Sequence, residues 1–275
     1  MEQTLAGNKP SPETALEQIT AVLLVGGMGT RLRPVVPSAP KPLARVGDKS
    51  FLELLVRQLS HQGIRRLVMC TGHLADQIEN ELTDGHAWNV VIEYSKETRP
   101  LGTAGAVKLA RRHLGDEPDF LVMNGDSFLE TDFHRLIQFH REHSALATMA
   151  VIKVQNGARY GRVQTGPDGR VQAFSEKTAM EMSGWVSAGV YVFNQAIFDH
   201  IPEGQSSLET DVFPRLLNHG LYALEQHGIF IDIGTPEDYA RAQTLCHRLY
   251  GAALGRQRRP SQDLRNPGLP LGSQS

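Results

Sequence analysis

The run Gly26-Gly27-Met28-Gly29-Thr30-Arg31-Leu32 follows directly on the apolar stretch Ala21–Val25. Glycines at the end of a strand leave backbone N–H groups free to turn toward an anion with no Cβ in the way. Thr30 adds a hydroxyl, and Arg31 a rigid fork of donors suited to phosphate oxygens. The chemistry that fits these residue types is phosphate binding. Two familiar phosphate loops do not match. A GxGxxG fingerprint fails because Leu32 stands three residues after Gly29, and a Walker loop fails because Pro42 lies five before Gly47, which is followed by Asp48. His140 and His143 share one face of a helical stretch, but no Cys, His or carboxylate at a matching spacing completes a metal set, so they read as solvated helix residues.

A loop of this kind needs a scaffold, and the hydrophobic pattern supplies one. Short β-branched apolar runs alternate with amphipathic stretches, which is the signature of an α/β fold. Strands are expected at Ala21–Val25, Leu67–Cys70, Val90–Tyr94 and Phe120–Met123, with helices from Phe51 to Gly63, over Leu74–Leu82 and over Thr103–Leu114. Ser50 with Glu53 forms a capping-box pattern, and the Pro-rich segment Pro34 to Pro42 excludes regular helix or central strand. Asp132 caps a helix over Phe133–His143, after which strands dominate: Ala147–Val154, Arg162–Gln164, Arg170–Phe174 and Val186–Phe193, with Gly166-Pro167-Asp168-Gly169 as a hairpin turn. Helices over Leu208–Leu217 and Glu237–Leu249 flank a short strand at Ile229–Ile231. The expected organisation is an N-terminal extension over 1–18, one domain over 19–250, and a disordered tail over 251–275. Within the domain a nucleotide-binding half spans about 19–131 and a β-rich half about 132–250. In such doubly wound sheets ligands sit at the carboxyl ends of the strands, where the Gly26–Arg31 loop falls.

Composition narrows the class. With 275 residues, 40% hydrophobic and 21% charged, the chain can bury a sizeable core. Lys plus Arg total 28 against 30 for Asp plus Glu, a net charge of −2, which gives no electrostatic reason to expect a nucleic-acid or membrane partner. Cys70 and Cys246 form no CxxC pair, so a reducing, cytoplasmic setting is expected, and the N-terminus carries no apolar signal core.

The segment GGMGTRLRPVVPSAPKPL, residues 26–43, resembles the signature of the sugar-1-phosphate nucleotidyltransferases, or nucleoside-diphosphate-sugar pyrophosphorylases. Further matches follow in order: Pro100–Gly105, Asn124-Gly125-Asp126, Phe174–Lys177, Ala188–Tyr191 and Asp232–Tyr239. The Ser207–Pro214 run and the Asp232–Tyr239 ending are most similar to the guanylyltransferases acting on D-glycero-D-manno-heptose 1-phosphate. The resemblance implies a Rossmann-like, mixed but mostly parallel sheet flanked by helices, the nucleotide-diphospho-sugar transferase fold. No C-terminal left-handed β-helix is expected. It also implies a reaction in which the phosphate of a sugar 1-phosphate attacks the α-phosphorus of an NTP and pyrophosphate leaves.

By the same resemblance, Arg31 and the amides of Gly27, Gly29 and Thr30 hold the triphosphate. Lys41, fixed between Pro40 and Pro42, neutralises charge building on the leaving group. Asp126 and Asp232, each at the end of an apolar strand, are the expected Mg²⁺ ligands, since a hard ion takes one or two carboxylates plus phosphate oxygens. Base and nucleotide contacts fall to Leu24, Gly26, Gly72, Pro100, Gly102, Thr103 and Asn124. Lys177 neutralises the sugar phosphate and Glu176 accepts hydrogen bonds from sugar hydroxyls, with Gly161 closing over the sugar. Ser187 stands where the mannose- and heptose-type enzymes commonly carry Asn. The expected partners are an NTP, GTP first, and a sugar 1-phosphate, the heptose first. Mannose 1-phosphate with GTP, or another sugar with UTP or dTTP, stays open, as does a homo-oligomer. A non-catalytic sensor on this fold should have lost Arg31, Lys41, Asp126, Lys177 or Asp232; all are present.

Overall fold

The structure is a computed structural model and describes residues 16–155, 160–175 and 183–255. Its centre is a nine-stranded sheet. The strands are β1 (Thr20–Leu24), β4 (Arg66–Thr71), β5 (Val91–Lys96), β6 (Asp119–Asn124), β8 (Ala147–Val154), β9 (Arg162–Thr165), β10 (Val171–Ser175), β11 (Gly184–Asn194) and β12 (Leu221–Gln226). Two small pairs lie apart from it: β2 (Arg45–Val46) with β3 (Lys49–Ser50), and β7 (Ser127–Leu129) with β13 (Phe230–Asp232). The helices are α1 (Phe51–His61), α2 (Ala75–Leu82), α3 (Gly102–Ala110), α4 (Phe133–Glu142), α5 (Phe213–Leu216), α6 (Pro236–Thr244) and α7 (Cys246–Ala253).

The order β10-β9-β11-β6-β1-β4-β5 puts the first strand near the middle. Strands β6, β1, β4 and β5 run parallel, while β11 inserts antiparallel beside β6 and also pairs with β8 and β9. One strand thus serves both halves of the chain. Alternation along β1 sends Ala21 and Leu23 to one apolar layer and Val22 to the other, so the sheet is covered on both faces.

Most expected elements form, and the exceptions have local causes. Ser50 Oγ accepts the Glu53 N–H at 3.2 Å, but Glu53 turns its carboxylate to Arg57 and Lys49 rather than back to the cap. The Leu208–Leu217 helix is instead a wide turn over Leu208–Val212 followed by α5. Ser207 Oγ accepts the Glu209 and Thr210 N–H groups at its start, and Pro214 cannot donate a helical bond. The single closing helix breaks at Leu245 into α6 and α7, and α7 continues to Ala253, past the expected boundary at 250. Leu249 and Ala253 are both buried, which draws that last turn onto the core. Strand β12 was not expected at all: Leu-Tyr-Ala-Leu-Glu-Gln has no β-branched residue. Six register pairs with β8 hold it extended.

His140 is not solvated. It is buried, with Nδ1 2.9 Å from Thr148 Oγ1 and Nε2 3.5 Å from Asp119 Oδ1. Asp119 also accepts from Arg141 Nε at 2.8 Å and Asn194 Nδ2 at 3.0 Å, tying the start of β6 to α4 and the end of β11. Burial pushes this carboxyl up, but His140, Arg141 and Asn194 outweigh it and hold it at about 2. The stabilisation is therefore present above the unfolded carboxyl's 3.8 and is lost as pH falls toward 2. Asp119→Ala should cost about 2 kcal/mol, because it leaves the buried His140 ring and the Asn194 amide without their acceptor, while the half-exposed Arg141 keeps Glu117 at 3.8 Å. Urea denaturation at pH 7 measures this; a variant as stable as the parent would remove the network from the fold's support.

Candidate active site

The carboxyl ends of β1, β4 and β6 lie side by side, with Leu24 in register with Cys70 on one side and Asn124 on the other. The loops that follow must pack closely, and glycine permits it. A Cβ at Gly26 would come within 3.1 Å of Gly72 N, and one at Gly125 within 2.5 Å of Val25 Cγ1. At Gly72 it would meet Glu97 Oε1 at 2.6 Å. Gly27 differs: nothing lies within 4 Å of its Cβ position, so the space in front of it is open cleft.

That cleft has two connected parts. The larger, about 660 Å³, is ample for a small-molecule ligand. Its wall includes Leu24, Gly26, Gly27, Gly72, Asn124 and Asp126, with Pro100, Gly102 and Thr103 on the α3 side. The smaller, about 190 Å³, shares Leu24, Gly27 and Asp126 with it and adds Gly29, Thr30, Arg31 and Lys41. The fold therefore brings the expected base side and the expected phosphate side together around Gly27. Arg31 and Thr30 are exposed at the phosphate end.

The two aspartates also meet. Strand β13 pairs antiparallel with β7 so that Asp232 lies opposite Ser127, next in the chain to Asp126. Lys41 Nζ is hydrogen-bonded to Asp126 Oδ2 and stands 3.6 Å from Asp232 Oδ1, with the lysine side chain only 10% exposed. The Gly234 N–H donates to Asp232 Oδ1 at 2.6 Å. Burial and the neighbouring Asp126 push the Asp232 carboxyl above its ordinary range, against the pull of Lys41 and the Gly234 N–H. Two hard carboxylates converging on one cation position fit a divalent ion, and the lysine ammonium is the stand-in that shows the position. Among the described residues no group of three or more His, Cys, Asp and Glu converges, so phosphate oxygens and water would complete the shell.

Other expected site residues are placed less directly. The Thr103 hydroxyl donates to Glu209 Oε2 at 2.9 Å and accepts the Leu208 N–H at 2.8 Å, clasping α3 to the Ser207–Thr210 turn. The Ser187 N–H donates to Gly161 O at 2.9 Å, and its hydroxyl lies 3.0 Å from Tyr191 Oη, so these two residues come together outside both pockets. Phe174 explains the glycine at 161: a Cβ there would fall 2.6 Å from the ring. Nearby, β11 shifts register between Ser187 and Tyr191, and Gly189, at φ +72°, presses against Asn124. Glu176 and Lys177 lie outside the described residues.

One residue was missed. Glu97 is half-buried in the wall of the larger cleft, its Oε2 accepting the Leu101 N–H at 3.1 Å. Burial raises its pKa. Nothing in its spacing marks it out from the acidic and basic residues around it; only the fold turns it inward.

Residues 20–248 match the nucleotidyl transferase family model, and the chain belongs to that family. It is 36% identical over 263 residues to the mannose-1-phosphate guanylyltransferase catalytic subunit beta of Drosophila pseudoobscura pseudoobscura, covering 94% of this chain and 70% of the relative. To the mannose-1-phosphate guanylyltransferase of Mycobacterium tuberculosis it is 38% identical, over 82% of this chain and 64% of that one. The structure of HddC from Yersinia pseudotuberculosis complexed with GMP-PN superposes with a TM-score of 0.73 at 31% identity, covering 82% of this chain and 98% of HddC. Among the described residues no helix is long and apolar enough to cross a membrane.

Because Gly27 faces open cleft and has no positive φ, alanine should fit the folded chain and obstruct only the ligand. Gly27→Ala is expected to leave Tm unchanged and to raise the nucleotide KM roughly tenfold, about the effect of displacing one close backbone contact. Thermal denaturation and initial rates test it together; an unchanged KM would take the loop away from the triphosphate.

Proposed function

We propose that the protein is a cytoplasmic, Mg²⁺-dependent guanylyltransferase that condenses GTP with a sugar 1-phosphate of the manno series, D-glycero-D-manno-heptose 1-phosphate first and mannose 1-phosphate second. The mannose reading is supported by the curated relatives. A phosphate oxygen of the sugar 1-phosphate bonds to the α-phosphorus, the bond from that phosphorus to the bridging oxygen breaks, and pyrophosphate leaves. Two anions must approach each other, so the work is positioning and charge neutralisation. Arg31, Thr30 and the loop amides of Gly27 and Gly29 would hold the β- and γ-phosphates, and Lys41 would oppose the charge that gathers on pyrophosphate. Asp126 and Asp232 would hold the divalent ion, which draws electron density from the phosphate oxygens. Lys177 and Glu176 would bind the sugar phosphate and the sugar hydroxyls.

The observation that carries the base choice is Glu97. Guanine presents two adjacent donors, N1–H and the N2 amino group, and an ionised carboxylate offers only acceptors to meet them. Uracil and thymine present one donor between two carbonyls, and a carboxylate would face those carbonyls unpaired and desolvated, which is costly.

Pyrophosphate release measured with GTP, UTP, dTTP, CTP and ATP against heptose, mannose, glucose and N-acetyl amino-sugar 1-phosphates is expected to peak with GTP and a manno-configured sugar. A peak with UTP or dTTP would discard the guanylyl reading. Glu97→Gln replaces two acceptors with one acceptor and one donor. It should lower kcat/KM for GTP by roughly 10- to 100-fold and narrow the gap to dTTP and UTP. Unchanged nucleotide preference would free Glu97 from base recognition.

A further inference from the structure

Lys41 has two possible sets of partners, and the structure shows one of them. Its ammonium lies between Asp126 and Asp232, nearly sealed from water. The seat is fitted at both ends. At the stem, Gly29 adopts φ +58° and a Cβ there would fall 2.9 Å from Lys41 Cβ. At the tip, a Cβ on Gly234 would fall 3.2 Å from Lys41 Nζ, and the Gly234 N–H fixes the Asp232 carboxylate that faces it. The flanking Pro40 and Pro42 restrict the backbone from which the side chain springs. Yet the same lysine lines the small pocket with Thr30 and Arg31, so rotation about its own side-chain bonds is enough to carry the ammonium to phosphate oxygens there.

We propose that Lys41 is an exchangeable counter-ion, which occupies the cation position of Asp126 and Asp232 until a triphosphate gives it another partner. This rests on the proposed function, and it adds an order to the site. Metal alone must compete with the lysine for both carboxylates, and the displaced ammonium would then share the small pocket with the Arg31 guanidinium with no anion between them. Metal together with nucleotide removes that conflict, because phosphate oxygens accept Lys41 as the carboxylates release it. Metal and nucleotide therefore bind with positive coupling, a reciprocal free energy between their sites.

Mn²⁺ is a suitable probe, followed by electron paramagnetic resonance and by calorimetry on the full chain without nucleotide. Lys41→Met keeps the length of the side chain and removes its charge. It should bind Mn²⁺ at least about tenfold more tightly than the parent, within the range of ordinary couplings. Asp126→Asn should bind it more weakly. If Lys41→Met binds Mn²⁺ no more tightly while Asp126→Asn binds it less, the carboxylates hold metal but Lys41 does not compete, and the proposal falls alone. If Asp126→Asn binds Mn²⁺ like the parent, the metal site itself is wrong and the proposal falls with it. A second measurement needs no variant: trace acetylation of the native protein, read by mass spectrometry. The Lys41 amine should react several-fold faster in saturating Mn²⁺ than in its absence, and an unchanged rate overturns the exchange.

Discussion

Two carboxylates that need one cation between them set the shape of this molecule's centre. Asp126 leaves the sheet after β6, and Asp232 arrives from β13 near the far end of the chain. For both to be ionised side by side a positive charge is needed between them, since like charges at a half-buried site raise each other's cost of ionisation. The short β7–β13 pairing brings them together, and Lys41 makes the meeting tolerable. Much else follows from that constraint. The Pro-rich segment must return to the strand ends to deliver the lysine, and the glycine loop must fold back far enough for Gly29 to touch it.

The same site shows why the two ends of the cleft differ in character. Around Gly27 the chain exposes amides, a hydroxyl and a guanidinium, groups that hold an anion by number and direction. Around Gly72 and Glu97 it presents backbone, a carboxylate and the side chains of His73, Arg99 and Asn124, a more mixed surface. A strand end that separates these surfaces by only the width of one loop lets a single bound molecule touch both. The family assignment and the likeness to guanylyltransferases rest on most of the chain rather than on this cleft alone.

The nucleotide half was legible in the sequence because its signals are local. A buried parallel strand reads as an unbroken apolar run, a cap reads as Ser or Asp before a helix, and a glycine loop stands out directly after a strand. The β-rich half was less so. Strand β12 has no β-branched residue and exists because β8 offers it partners, which no window of sequence contains. His140 looked solvated because its partners, Thr148 and Asp119, come from other elements. The site divides in the same way. Arg31 was expected from the chemistry of the glycine loop, and Lys41, Asp126 and Asp232 from a resemblance carried by long motifs, whereas Glu97 has no motif and meets the cleft only through its packing against Gly72. The break at Leu245 and the wide turn after Ser207 belong to the same class: side-chain and tertiary contacts decided what periodicity left undetermined.

Strand β11 belongs to both halves of the chain, with β8 along one edge and β9 followed by β6 along the other. A fold joined in this way cannot be cut and recombined as two cassettes, because removing either half strips a central strand of its neighbour. A change made within β11, as at the register shift between Ser187 and Tyr191, is felt by the strands on both of its edges. The two halves of the sheet must therefore form and fail together.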